Sequence, residues 1–350
     1  MTLKTVLDKL SLKKDLTKED LYIIFHDFYE KRIKDEDIKK LVVLWREKGE
    51  TAFELVTLAS ILNEKQNLSP PASGSTPIID VCGTGGDKTN TLNVSTLSAI
   101  VASSCGVNII KHSGRSTTSI TGSVDILNEF DFDLNTPKEI MERAFEENHL
   151  MFVSSFILRE VFGKVKSISK ELGIPGFVNL LGPLTNPYKT THQLLGVSNI
   201  KWGELMSLAL KLQNKTEALI VCSEVANKNV FLDELSFCGQ NHIWHLNNEK
   251  IEKMDLSPKN FNHETVFLDQ IVVTKKDEGK KVFQDVLSGN INTVNQAKVD
   301  IVALNAGGVL YLAKKVKSIK EGYKLALNNI MSGNVWEHFQ NFLNCNKMRA

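Results

Sequence analysis

The pattern of apolar positions divides the chain into a helical beginning and an alternating remainder. Between Thr2 and Gln66, apolar residues recur every three or four positions and no run alternates with a period of two, which predicts helices throughout this stretch. Serine, proline and glycine then concentrate between Asn67 and Pro77, as is typical of a linker. We therefore predict a small all-helical domain over residues 1–70.

Beyond this linker, short apolar runs alternate with stretches of helical periodicity. The runs that predict strands are 78–82, 107–111, 150–154, 194–198, 218–222 and 270–273. Thr136, Pro137 and Glu139 form a capping-box pattern that predicts the start of a helix. Two closing helices are predicted over 299–315 and 319–331. The alternation predicts an α/β domain over residues 76–350 with a mostly parallel central sheet.

The loop after the first predicted strand has the composition of a phosphate cradle. Gly83, Gly85 and Gly86 occupy three of four positions, and such a loop lets backbone N–H groups approach an anion closely. The helix that follows adds its N-terminus and the hydroxyls of Ser95 and Thr96 as donors. The spacing matches neither a Walker A loop nor GxGxxG. A flexible strand-to-helix turn is the alternative.

A second polar loop follows the next predicted strand. Lys111 and Arg115 carry positive charge beside a row of hydroxyl groups that includes Ser119 and Ser123. In an open parallel sheet, ligands bind outside the carboxyl ends of adjacent strands, so we expect this loop to lie beside the glycine loop. A turn with solvated cations is the alternative, and His112 alone is more typical of an oriented structural histidine than of a base.

Two adjacent carboxylates, Asp233 and Glu234, follow a short strand-like stretch. Neighbouring acidic side chains repel each other unless a cation separates them, and hard oxygen ligands facing a phosphate site suit Mg²⁺. This pair is therefore a candidate metal site, with a surface turn as the alternative.

Net charge and cysteine content limit the ligands and the cellular compartment that we expect for this protein. The formal net charge of +1 gives no global attraction to nucleic acid or to an anionic membrane, so any anion site must be local. The five cysteines are scattered without a CxxC pair, which favours reduced thiols and a cytoplasmic protein. With no leader-like segment and no apolar run of about 18 residues, we expect neither export nor membrane insertion.

Taken together in order, these elements resemble the anthranilate phosphoribosyltransferase family, which couples anthranilate to phosphoribosyl pyrophosphate in tryptophan biosynthesis. The resemblance covers nearly the whole chain. The motifs that carry it are residues 48–51, 83–87, 93–96, 111–112, 119, 122–123, 125, 179–187, 232–236 and 305–308.

The resemblance implies a fold, a cofactor and a set of ligand contacts. The fold is a helical domain, completed by a segment from about 160 to 190, joined to a larger α/β domain, usually in a homodimer. Mg²⁺ is the implied cofactor, held near Ser95, Asp233 and Glu234. Phosphoribosyl pyrophosphate is expected at Gly83, Thr84, Gly85, Gly86, Asp87, Asn93, Ser95, Thr96, Lys111, Ser119 and Ser123.

Departures from the family pattern concentrate on the aromatic amine that accepts the phosphoribosyl group. The acceptor is expected at His112, Gly114, Arg159 and Ser169. Gly114 stands where the family has an asparagine, and Ser169 stands where it has an arginine that pairs with the anthranilate carboxylate. Lys166 and Lys170 are point charges that can substitute for that arginine, although neither offers its bidentate fork.

Three functions are compatible with these residues. The first is a phosphoribosyltransferase that acts on anthranilate or on another acceptor, and the second is a non-catalytic, nucleic-acid-binding relative. The third is a pyrimidine nucleoside phosphorylase, against which Asp233 and Glu234 argue because bare phosphate needs no paired carboxylates. We favour the transferase because both phosphate loops are intact, and we favour anthranilate as its acceptor because the resemblance covers nearly the whole chain.

Overall fold

The computed structural model describes residues 2–66, 68–71, 76–114, 122–275 and 278–347. Its first elements are four helices, α1 Leu3–Ser11, α2 Lys18–Tyr29, α3 Asp35–Lys48 and α4 Ala52–Asn63. At the start of α2 and of α4, the hydroxyls of Thr17 and Thr51 accept hydrogen bonds from first-turn N–H groups that no helix carbonyl reaches. The prediction of helices over residues 2–66 is confirmed.

Glu54 on α4 ties these helices together through a buried carboxylate. One oxygen, Oε1, accepts from the backbone N–H of Leu16 at 2.7 Å. The other, Oε2, accepts from the Trp45 indole at 3.0 Å and from the Lys48 ammonium at 3.1 Å. Because the side chain of Lys48 is only 2% exposed, the two groups compensate each other's loss of hydration.

Replacing Glu54 by glutamine is expected to lower the free energy of unfolding by about 1.5–3 kcal/mol, because a charge-assisted hydrogen bond is lost and the Lys48 ammonium loses a buried counter-charge. Chemical denaturation measures this change. The matched control is Glu47→Gln, which removes the same charge from an exposed position on α3. Equal unfolding free energies for the two variants would contradict the prediction.

Five strands form the parallel part of the central sheet, in the order β3-β2-β1-β4-β5. They are β1 Ile78–Gly83, β2 Asn108–His112, β3 Leu150–Val153, β4 His192–Gly196 and β5 Glu217–Glu224. Successive side chains of a strand point to opposite faces. On β5, Leu219 and Val221 join one hydrophobic core, while Ile220 joins the other. Both faces of the sheet are buried, which explains the near-continuous apolar runs of these strands.

Helices flank and follow the strands. They are α5 Val94–Ser104, α6 Ser123–Asn128, α7 Lys138–Asn148, α8 Phe156–Leu172, α9 Phe177–Leu181, α10 Lys201–Leu212, α11 Gly279–Leu287, α12 Gln296–Leu312, α13 Ile319–Met331 and α14 Asn334–Lys347. The fold class predicted from the sequence, helices first and then an α/β region with a mostly parallel sheet, is confirmed. None of the helices in the described ranges has the length and apolar character that a membrane crossing requires.

An antiparallel extension that we did not predict completes the sheet. The short strand β6 Phe231–Leu232 pairs with the end of β5 on one side, and the hairpin of β7 Asn241–Asn247 and β8 Lys250–Leu256 extends the sheet on the opposite side of β5. The hairpin turns at Asn248 and Glu249, whose φ angles of 44° and 71° both lie in the left-handed region that a tight two-residue turn requires. Because glutamate instead of glycine occupies the second turn position, the sequence does not indicate this turn.

Two local predictions were wrong. Residues 270–273 form no strand of the sheet, and Val272 makes only an isolated bridge with Thr91. The residues are apolar because Ile271 and Val273 are buried in a loop. Thr136 does not cap α7, since its hydroxyl donates to the Asp133 carbonyl and closes the preceding turn instead.

Helices α8 and α9 pack against the first four helices. Phe162 on α8 meets Phe28 edge to face, with ring centroids 4.9 Å apart, and Phe177 on α9 stacks on Trp45 at 4.5 Å. These side chains belong to one buried cluster that α1 to α4 share with one face of the sheet. The domain limits of 1–70 with 160–190, and of 76–350, remain a prediction.

Candidate functional site

A cavity of about 820 Å³ opens at the carboxyl ends of β1 and β2. The glycine loop after β1 and the start of the loop after β2 form part of its wall, as the position of the two strands in a parallel sheet predicts. Asp233 and Glu234 reach the same cavity from the segment after β6, and α8 with α9 supplies further lining. The three polar elements found in the sequence therefore meet in one place.

Hydrogen bonds with the end of β4 and with the loop after it hold the glycine loop in its conformation. The backbone N–H of Thr84 donates to the Gly196 carbonyl at 2.9 Å, and the Ser198 hydroxyl donates to the Gly85 carbonyl at 2.8 Å. Gly85 and Gly86 have φ angles of 65° and 89°, which side chains disfavour. The loop is thus fixed by its neighbours in a conformation that only glycine adopts readily.

The close approach of Asp233 requires glycine on two neighbouring strands. A Cβ atom at Gly83 would overlap the Asp233 carboxylate, and one at Gly196 would overlap its backbone carbonyl. With both Cβ atoms absent, Asp233 Oδ2 accepts a hydrogen bond from the backbone N–H of Gly85 at 2.7 Å. One carboxylate is thereby fixed against the glycine loop.

Asn305 on α12 clamps the backbone next to the acidic pair. Its Oδ1 accepts from the Leu235 N–H at 2.9 Å, and its Nδ2 donates to the Leu235 carbonyl at 2.7 Å. The side chain is buried and both of its polar atoms are satisfied. This clamp explains why the sequence carries an asparagine at 305, far from the acidic residues in the chain.

Three carboxyl groups lie together at the strand ends of the cavity, and the pKa of each is raised. Burial, with the nearby charge of Asp87, raises the pKa of Asp233 to about 7. Burial and then repulsion from Asp233 hold the pKa of Glu234 well above its ordinary value. Burial also raises the pKa of Asp87. The charge of Lys111 acts in the opposite direction on Asp233 and Glu234 but does not offset burial, so their ionised forms remain disfavoured without a further cation.

A divalent cation fits this donor set. Oxygen ligands suit Mg²⁺, which binds proteins through one or two carboxylates and takes its other ligands from water and substrate phosphates. In the described part of the chain, no three or more His, Cys, Asp or Glu side chains are arranged to hold a metal ion by themselves. A cation at Asp233 and Glu234 therefore needs oxygens from a bound ligand as well.

Lys111 and His112, at the end of β2, are both desolvated. The Lys111 ammonium donates to the Val81 carbonyl at 2.7 Å and to the Ser95 hydroxyl at 3.2 Å, and burial lowers its pKa. The backbone N–H of His112 donates to Asp80, while its Nε2 accepts from the Ser155 N–H at 3.1 Å. Burial lowers the pKa of His112 as well, so the ring is neutral and oriented.

Most residues predicted to bind phosphoribosyl pyrophosphate line this cavity. They are Gly83, Thr84, Gly85, Asp87, Asn93, Ser95, Lys111 and Ser123. Gly86 and Thr96 do not line it, and Thr96 is fully buried with its hydroxyl donating to Ser123 at 2.9 Å. Ser119 lies outside the described residues, as does Arg115.

Of the four residues predicted to contact the acceptor, His112, Gly114 and Arg159 line the cavity and Ser169 does not. Ser169 is buried where α8 meets the segment before α9, and a Cβ atom at Gly176 would lie only 2.5 Å from its Oγ. The helical turn directs position 169 into this contact. The structure thus corrects the expectation that Ser169 faces the acceptor.

Of the polar cavity residues that the sequence analysis did not assign to the site, two make hydrogen bonds to the predicted site residues. Asn179 on α9 donates to the Thr84 carbonyl at 3.4 Å, and Thr91 donates through its hydroxyl to Glu234 at 3.3 Å. Asn179 begins the 179–187 string, which was a usable signal. No sequence signal pointed to Thr91, because its contact is with Glu234, which is far away in the sequence.

Comparisons with known proteins agree with this geometry. A family model described as "Glycosyl transferase family, a/b domain" matches residues 75–336. The anthranilate phosphoribosyltransferase of Bacillus cereus is 35% identical over 334 residues, which are 95% of this chain and 94% of that protein.

The fold of this chain is also similar to that of solved structures. The anthranilate phosphoribosyltransferase of Thermus thermophilus has a TM-score of 0.84 at 28% identity, covering 98% of this chain and 99% of that one. The Saccharomyces cerevisiae enzyme in complex with PRPP and Mg also has a TM-score of 0.84, at 26% identity, covering 99% and 98%. With its sequence, its sheet and its glycine loop all in agreement, the chain belongs to the anthranilate phosphoribosyltransferase family.

Proposed function

We propose that this protein transfers the phosphoribosyl group of phosphoribosyl pyrophosphate to the amino group of anthranilate and releases pyrophosphate, a step of tryptophan biosynthesis. The observation that carries the proposal is the meeting of the glycine loop with Asp233 and Glu234, through the hydrogen bond from Gly85 to Asp233. Backbone donors for phosphate and carboxylates for a cation then lie side by side, as a metal-bound pyrophosphate requires.

Under this proposal, the chemistry needs positioning more than acid or base groups. The amine nitrogen attacks the anomeric carbon as the bond from that carbon to the pyrophosphate oxygen breaks, and the amine then gives a proton to solvent. A neutral aromatic amine is already a nucleophile, so alignment and stabilisation of the leaving group supply the acceleration. The neutral state of His112 agrees with a role in orientation.

Mg²⁺ is the proposed cofactor, and Asp233 and Glu234 are the residues that would hold it. When bound, it would neutralise charge on the departing pyrophosphate. Ser95 was also predicted as a ligand. Its hydroxyl accepts from the Lys111 ammonium and lines the cavity, so it remains available as a donor to phosphate.

Pyrophosphate release tests the function. Purified protein is incubated with Mg²⁺, phosphoribosyl pyrophosphate and one acceptor at a time, drawn from anthranilate, other aminobenzoates and nucleobases. Release with anthranilate supports the proposal, and release only with another acceptor assigns a different substrate. No release with any of them, together with tight binding of single-stranded nucleic acid, would contradict an enzymatic function.

Replacing Lys111 by alanine is expected to weaken binding of phosphoribosyl pyrophosphate by about 1.5–3 kcal/mol, the usual contribution of a hydrogen bond to a charged group. Calorimetric titration in Mg²⁺ measures the dissociation constant. The matched control is Lys88→Ala, because Lys88 is an exposed lysine that follows the same glycine loop and does not line the cavity. Equal affinities for both variants would exclude Lys111 from the phosphate site.

We also propose that the protein is a cytoplasmic homodimer that associates through its helical part. All five cysteines are free thiols, which supports a reducing compartment. Light scattering at micromolar concentration tests the dimer, and a monomeric mass would contradict it.

A further inference from the structure

Strands β1 and β2 separate before they reach the cavity. In the described part of the two strands, their regular pairing ends with Ile79 opposite Ile109. By contrast, β1 pairs with β4 as far as Gly83, and β2 pairs with β3 as far as His112. The gap between β1 and β2 therefore lies directly before the two polar loops that line the cavity.

Asp80 on β1 and Asn186 bridge this gap with their side chains. Asp80 Oδ1 accepts a hydrogen bond from the His112 N–H at 2.9 Å. Asn186 Nδ2 donates both to Asp80 Oδ2 at 3.0 Å and to the Ile110 carbonyl at 2.9 Å. Because buried backbone groups need partners, these side chains replace the ladder bonds that the separated strands cannot make.

The Asp80–Asn186 pair is buried, and its polar atoms are satisfied. Asp80 is 1% exposed and Asn186 is 9% exposed. Asn186 Oδ1 also accepts from the backbone N–H of Tyr188 at 3.0 Å, so the orientation of its amide is fixed. A buried polar group that loses its partner costs free energy, so the pair holds a defined geometry.

The position of Lys111 in the cavity depends on this geometry. The Lys111 side chain is buried, and its ammonium crosses the gap to the Val81 carbonyl on β1 at 2.7 Å. Burial lowers the pKa of Lys111, while the charge of Asp80 acts in the opposite direction. Lys111 lines the cavity, whereas Asp80 and Asn186 do not. A shift of the end of β2 would therefore move the Lys111 ammonium relative to the glycine loop.

We propose that Asp80 is a positioning residue for phosphoribosyl pyrophosphate, because together with Asn186 it holds the end of β2 apart from β1 and so places Lys111 at the phosphate site. This inference rests on the proposed transferase function. Since Asp80 does not line the cavity, it acts through Lys111 and not on the ligand itself.

The first test replaces Asp80 by asparagine, which keeps an acceptor for the His112 N–H but turns an amino group toward Asn186 Nδ2. Two donors then face each other, and Asn186 cannot turn its amide because the Ile110 carbonyl needs the same amino group. We expect the dissociation constant for phosphoribosyl pyrophosphate in Mg²⁺ to rise about 10- to 100-fold, as measured by calorimetric titration. An unchanged constant would overturn the inference.

A double-mutant cycle shows whether Asp80 acts through Lys111. In the Lys111→Ala background, the ammonium that Asp80 places is absent, so Asp80→Asn should raise the dissociation constant further by less than about twofold. Equal fold-changes with and without the Lys111 side chain would overturn the inference, because they would indicate a route to the ligand that does not include Lys111.

The matched control for a loss of stability is Glu54→Gln. Glu54 is also a buried carboxylate that accepts from a backbone N–H, that of Leu16 at 2.7 Å, and it lies outside the cavity. Chemical denaturation should show lower stability for both variants, whereas the dissociation constant should rise only for Asp80→Asn. A similar rise in Glu54→Gln would indicate general destabilisation and overturn the inference.

Asn186→Ala takes the place of Asp80→Asn if the latter does not fold. It removes the donor to Asp80 and to the Ile110 carbonyl but leaves the carboxylate in place. The dissociation constant should again rise, and the rise should again be absent in the Lys111→Ala background. An unchanged constant in the folded Asn186→Ala variant overturns the inference.

If the unmodified protein does not bind phosphoribosyl pyrophosphate, the transferase function fails instead. Hydrogen exchange of the amides at 110–113 then decides whether the pair places the end of β2. Faster exchange in Asp80→Asn than in Glu54→Gln supports that placement, because the His112 N–H loses its firm partner. Equal exchange in the two variants overturns it.

Discussion

Replacing Asp233 by asparagine together with Glu234 by glutamine is expected to lower turnover by about 10²- to 10³-fold or more, because a metal ion at the leaving group contributes several kcal/mol to catalysis. The overall fold should remain intact. Asparagine can still accept the hydrogen bond from the Gly85 N–H, and the Asn305 clamp holds the backbone of Leu235 rather than the acidic side chains. Pyrophosphate release over a range of Mg²⁺ concentrations measures the loss.

The same variant should change how stability depends on pH in the absence of Mg²⁺. A carboxyl group whose pKa is higher in the folded chain than in the unfolded chain stabilises the fold most below the unfolded value of about 3.9. That contribution is lost as the pH rises through the folded pKa of Asp233, about 7. We therefore expect the stability of the unmodified protein to decline across this window, and the decline to be smaller in the double variant, which keeps only the raised pKa of Asp87.

A control with the same change in charge separates the site from a general electrostatic effect. Glu264 and Asp269 are exposed and lie outside the cavity, so Glu264→Gln with Asp269→Asn should leave both turnover and the pH dependence unchanged. An unaltered Mg²⁺ dependence in the Asp233 and Glu234 variant would exclude these two residues as the metal site.

Replacing Gly196 by alanine is expected to remove activity and to lower the free energy of unfolding by about 2–4 kcal/mol, since overpacked cores with a displaced backbone cost this much. The added Cβ atom would overlap the backbone carbonyl of Asp233. Neither group can move alone, because Gly196 ends the central strand β4 and the backbone at Leu235 is clamped by Asn305. The acidic pair must therefore shift away from the glycine loop.

Thermal unfolding and the pyrophosphate assay together measure this effect. The matched control for stability is Gly163→Ala, because its Cβ atom on α8 would meet nothing within 4 Å, and alanine in a helix is favoured over glycine by about 1 kcal/mol. Gly163→Ala should therefore be as stable as the unmodified protein or more so. If Gly196→Ala matched it in stability and kept full turnover, the required close approach at β4 would be contradicted.

Much of the fold, and several residues of the cavity, could be predicted from local sequence patterns. The apolar periodicity of residues 2–66 predicted helices, because each helix buries one stripe of side chains. The parallel strands were visible as apolar runs buried on both faces. By contrast, the hairpin of β7 and β8 was not predicted, because its tight turn consists of Asn248 and Glu249 and lacks the glycine that usually indicates such a turn. The apolar residues at 270–273 led to a wrong strand prediction, because burial in a loop and burial in a strand select the same apolar side chains.

The sequence by itself identified the glycine loop and the acidic pair as candidate site elements, because the conformation of glycine and the repulsion of adjacent carboxylates are local properties. It could not determine which cations reach the cavity, since Lys166 and Ser169 lie only one helical turn apart. The packing of α8 against the first helices decided that Lys166 lines the cavity while Ser169 is buried. The desolvation that raises the pKa of Asp233 likewise depends on residues from distant parts of the chain, so only the tertiary structure could supply it.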